Sequence, residues 1–130
     1  MKSIFKILSA IAVSVTTVTA LATPTHYITH NNTKWETNVI VKGVDSPFPT
    51  LPYSTRKVAW RMVRLGCGIT PVCAAVIKVA TDTSDPIEIG TLYMDMDSGK
   101  ITPQQISAQG YTAKVKDIAE VIITHDLPNT

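Results

Sequence analysis

After residue 34, apolar and polar positions alternate with a period close to two, the mark of strands buried on one face. Across 35–43, Val39 and Val41 fall on one side and Ile40 on the other, and Gly43 ends the run. The 72–80 stretch is apolar on both faces except at Lys78, as a core strand should be. Across 87–96, Ile87, Ile89, Thr91 and Tyr93 face one way and Gly90, Leu92, Met94 and Met96 the other. Residues 111–116 alternate Tyr, Ala and Val against Thr, Lys and Lys, and 121–124 supplies a last apolar strand. Between these runs, 81–86 is turn-forming by composition, and Asp97-Ser98-Gly99-Lys100 reads as a hairpin turn with glycine where a positive φ is wanted.

Other stretches carry weaker patterns. Residues 23–34 are polar and read as a flexible arm that contributes at most a strand around Tyr27. Pro47, Pro49 and Pro52 forbid a central strand over 44–54, leaving a connecting loop with Phe48, Leu51 and Tyr53 as anchors. Residues 56–65 fit both a strand and a helix. The strand is preferred, because it takes Trp60 into the core and makes 58–80 a hairpin whose turn is clipped by Cys67 and Cys73. Thr102-Pro103-Gln104-Gln105 has the form of a capping box with proline at the first helical position, which predicts one or two helical turns or an irregular edge. The sum is an all-β, two-sheet β-sandwich over 35–126 with at most one short helix, followed by a tail at 127–130. It is immunoglobulin-like in architecture but lacks that fold's hallmark, because Cys67 and Cys73 stand too close in sequence to tie two sheets together.

The N-terminal pattern is of another kind. Lys2 and Lys6 precede a charge-free apolar run over 7–18, and Ala20-Leu21-Ala22 fits a small-x-small cleavage rule, so 1–22 reads as a signal peptide. That run is short of the roughly 20 residues a spanning helix needs. Lys2 and Lys6 account for the whole net charge of +2, so the remaining chain is formally neutral and its basic pI implies no affinity for nucleic acid. An exported chain with two cysteines predicts one disulfide, Cys67 to Cys73. The expected destination is the periplasm or the exterior, with no membrane insertion once the leader is removed.

Candidate chemistry is thin. Cys67 and Cys73 lack the C-x-x-C spacing of a redox pair. His26, His30 and His125 would form a metal site only if the two ends of the chain lay side by side. Met94 and Met96 share a strand face, the arrangement of a soft copper site, although Leu92 beside them makes core packing the simpler account. Asp95 and Asp97 superficially match a calcium loop but lack its later ligands. Arg56, Lys57, Arg61 and Arg64 gather locally, and no nucleophile elbow or phosphate loop occurs. The Asn31-Asn32-Thr33 sequon carries little weight in a chain whose leader is of bacterial type.

The chain therefore reads as an exported non-enzymatic binding module without a cofactor, its partner another protein or a surface glycan. The contact surface would draw on Phe48, Leu51, Tyr53, Arg61 and Ile69. The alternative is a periplasmic copper- or zinc-handling protein.

Overall fold

The computed structural model describes residues 22–127, so most of the leader and the last three residues of the tail lie outside it. Among the described residues, ten strands and one helix follow in chain order: β1 (His26–Asn32), β2 (Thr37–Val41), β3 (Val44–Asp45), β4 (Ser54–Ala59), α1 (Trp60–Cys67), β5 (Val72–Val79), β6 (Ile87–Asp95), β7 (Ile101–Thr102), β8 (Gln105–Ala108), β9 (Tyr111–Asp117) and β10 (Glu120–His125). They form two five-stranded sheets, ordered β4-β1-β10-β9-β8 and β3-β2-β5-β6-β7. The fold is the expected small two-sheet sandwich.

Two local expectations are overturned, and one left between alternatives is decided. The supposed arm at 23–34 contains β1, which lies inside its sheet, antiparallel to β4 and parallel to β10. Its inward positions are Tyr27, Thr29 and Asn31, too polar to look like a core strand, yet Thr29 and Asn31 are buried. Residues 58–80 are not a hairpin. The chain leaves β4 in one sheet, passes through α1 and enters β5 in the other sheet, so 56–65 is strand to Ala59 and helix from Trp60. Trp60 is buried all the same, at the start of the helix, where its backbone N–H donates to the Thr25 carbonyl at 2.9 Å. Finally, of the helical turns and the edge segment that the 102–105 motif allows, the helix is not formed and the chain runs along a sheet edge. Gln105–Ala108 pairs with β9 instead, placing Ile106 towards the opposite sheet.

The two edges of the sandwich differ. At β6 and β8 the sheets meet closely: a Cβ on Gly90 would come within 3.1 Å of Ile106 Cδ1. Gly90 lies at a bulge, where Ile89 and Gly90 together oppose Ile77, and this shift allows Ile89 and Leu92 both to be buried. At the other edge, β4 and β3 belong to opposite sheets and the sheets stand apart. The disulfide joins the end of α1 to the start of β5, with Cα atoms 5.6 Å apart and both cysteines buried.

Candidate functional site

The separation of the sheets near β3 and β4 leaves a cavity of about 370 Å³. Strand register fixes its walls. Val39 pairs with Ile77, Val41 with Ala75, and Ala75 with Leu92, so these side chains form one apolar floor. The roof comes from the other sheet, where Tyr27 pairs with Val58 and Thr29 lies between Arg56 and Val121. Met62, Val63 and Cys67 of α1 close one end. Val39, Val41 and Ala75 point inward yet are only half-buried, because the space beside them is empty.

Few polar groups reach this space. Thr37 is buried, and its Oγ1 has no hydrogen-bond partner. Burial pushes the Tyr27 phenol above its ordinary pKa, and the Thr29 hydroxyl only partly opposes that shift. At the opening stand Lys42 and Asp45 on the β2–β3 side and Arg56 on β4. Lys42 and Gly43 both have positive φ and join β2 to β3 as a two-residue hairpin turn. Arg56 Nη1 donates to the Pro49 carbonyl at 3.3 Å, and its guanidinium lies over the Phe48 ring at 5.4 Å.

The residues singled out in the sequence are dispersed. Of the expected contact surface, Phe48 lines the opening, while Leu51, Tyr53 and Ile69 are exposed outside it and Arg61 is exposed on α1. The histidines do not converge. His26 bonds to Thr25, His30 Nε2 lies 2.5 Å from Glu120 Oε2, and His125 packs edge-on against Tyr111. No group of three or more His, Cys, Asp or Glu side chains able to hold a metal occurs among the described residues. Met94 and Met96 are core residues. Asp95 binds its own turn through Asp97 and Ser98 rather than facing a cation site. Asn31, the first residue of the sequon, is buried inside the sheet.

Alternation could not reveal the cavity, since it tells which side chains face inward but not whether two inward faces touch. The one available signal was the small Ala75 in the middle of a core strand.

Fold and site together define a small, disulfide-braced β-sandwich with an apolar cleft opening between its sheets. By sequence the chain belongs to the family described as T2SS substrate NttC, which it matches over residues 1–126. It is accordingly an exported protein. It is similar to the crystal structure of the Legionella pneumophila type II secretion system substrate NttC, with 42% sequence identity and a TM-score of 0.75. That match covers 78% of this chain and 98% of the other. No curated protein matches.

Proposed function

We propose that this is a non-enzymatic binding protein, released from the cell by type II secretion, whose working element is the cleft between its sheets. The observation that supports this best is the cavity of about 370 Å³, which lies within the size range of small-molecule sites and has mainly aliphatic walls. A reaction would need a nucleophile or an acid–base group beside the bound molecule. The inward positions here carry aliphatic residues, methionine and threonine, and the one titratable group among them, the Tyr27 phenol, is pushed by burial away from ionising. A small apolar ligand suits such walls better than a glycan, whose hydroxyls would lose their hydrogen bonds to water. The type II route rests on family membership.

The test is a titration of the mature protein with the neutral fluorophore N-phenyl-1-naphthylamine. One saturable site with enhanced emission is expected, and it should be lost in Ala75→Phe, whose ring would occupy the cleft. No enhancement, or enhancement unchanged by that substitution in a protein of native circular dichroism, would overturn the reading.

A further inference from the structure

We infer that the cleft takes a single-chain fatty acid, its carboxylate held at the opening by Lys42 and Arg56; this rests on the proposed ligand-binding role of the cavity. Length and volume give similar chain sizes, about 12 to 15 carbons. The cleft runs along β2 from Thr37 to Val41, four residues at about 3.4 Å each, or about 14 Å. An extended covalent chain advances about 1.2 Å per bond, so roughly 11 or 12 bonds fit. An apolar cavity of about 150 Å³ holds a six-carbon ring, and by that measure about 370 Å³ holds roughly 15 carbons.

The opening supplies the head-group chemistry. Lys42 and Arg56 are exposed, line the cavity and come from opposite sheets. Neither has a carboxylate within 4.0 Å among the described residues. The acidic residue lining the cavity is Asp45, so the charge there is net positive. Arg56 is held in place by its contacts with Pro49 and Phe48. Val44 and Leu65 also line the opening and are 67% and 76% exposed, offering apolar surface where the chain would enter. An anionic head with one apolar tail matches both features. An alcohol would lose the charge contact, and an alkylammonium would be repelled.

The experiment displaces N-phenyl-1-naphthylamine from the full mature chain at pH 8 and 0.15 M salt, using dodecanoate, 1-dodecanol and dodecyltrimethylammonium. Dodecanoate should displace the probe at about tenfold lower concentration than the alcohol, the size of a charge-assisted hydrogen bond. In the double variant Lys42→Gln/Arg56→Gln, acid and alcohol should come within about threefold of each other, each measured against that variant's own affinity for the probe. Probe binding with no preference for the acid, or a preference that survives the double variant, would overturn this inference and leave the binding reading intact. A protein that binds no probe, including one that sediments as a dimer with a second copy over the opening, would overturn both.

Discussion

The Asn31 side-chain amide donates to the Trp35 carbonyl at 2.7 Å from a position with no solvent exposure. The same amide group reaches the Thr50 and Leu51 carbonyls at 3.2 and 3.1 Å, and its oxygen accepts from the Thr33 N–H and hydroxyl. One buried side chain thus ties β1 to the proline-rich loop that forms a lip of the cleft. Thr37 and Thr50 exchange two backbone hydrogen bonds and fix the same loop to β2. Asn31→Ala should cost about 3 kcal/mol, because it strands several buried carbonyls and N–H groups. Asn31→Asp should cost at least as much, since it turns a donor facing carbonyls into a buried charge. Urea unfolding monitored by tryptophan fluorescence measures both, and a loss below 1 kcal/mol in each variant would show that the loop is held by other means.

A cavity and a filled core respond oppositely to a larger side chain. Ala75 lies between Val41 and Leu92 on the cleft floor. In a filled core, Ala75→Phe would overpack and cost about 1 to 3 kcal/mol. In an open cleft the ring buries apolar surface, and a gain of about 1 kcal/mol is expected. Thermal unfolding gives the sign directly, and a lowered midpoint would contradict the open interior.

Gly99 faces a different constraint. Its φ is +78°, and a Cβ there would stand 2.4 Å from Pro24 Cγ and 2.9 Å from Ile118 Cγ2. Its carbonyl accepts from the Ala119 N–H, whose own carbonyl accepts from the Ile28 N–H. The Asp95 turn is therefore packed against the start of β1 and the β9–β10 connection. Gly99→Ala should cost about 2 to 4 kcal/mol from backbone strain and displacement of those neighbours. Hydrogen exchange should show the loss first at Ile28 and Ala119, and uniform exchange throughout the chain would count against this coupling.

The parts of the fold that could be read in advance are those where alternation and burial agree, as in β9, whose Tyr111 and Ala113 are buried while Thr112 and Lys114, which alternate with them, are not. β1 escaped because Tyr27, Thr29 and Asn31 occupy its inward positions, and Asn31 is satisfied there by a hydrogen-bond network that no periodicity displays. The β4–α1 junction escaped because no glycine, proline or capping side chain marks it; Ala59 precedes the helix without a side-chain cap. The 102–105 motif stayed open between helix and edge for the opposite reason, since its residues mimic a helix start while Ile106 is needed over Gly90. The site itself was less legible. Phe48 drew notice only as an apolar residue in a proline-rich loop, and Lys42 had no distinguishing context until the hairpin brought it beside the cleft.

The last prediction concerns acid. Asp95 Oδ1 accepts the Ser98 N–H at 2.8 Å, the Asp97 N–H at 2.9 Å and the Ser98 hydroxyl at 3.1 Å. The Ser98 N–H first, then the Asp97 N–H and the Ser98 hydroxyl, hold its carboxyl below the ordinary value of 3.8. The folded protein therefore binds fewer protons than the unfolded chain in this range, and stability falls as pH drops. The contribution is present above the ordinary carboxylate pKa, near 4, and is lost as pH falls through the lower folded value. Asp95→Asn keeps an oxygen acceptor for the turn but cannot titrate. Its urea midpoint should lie below that of the parent protein at pH 7, and the two should converge as the pH falls below about 4. Parallel curves over that range would mean that the turn gains nothing from the charge on Asp95, and that the acid sensitivity of the fold arises at other carboxylates.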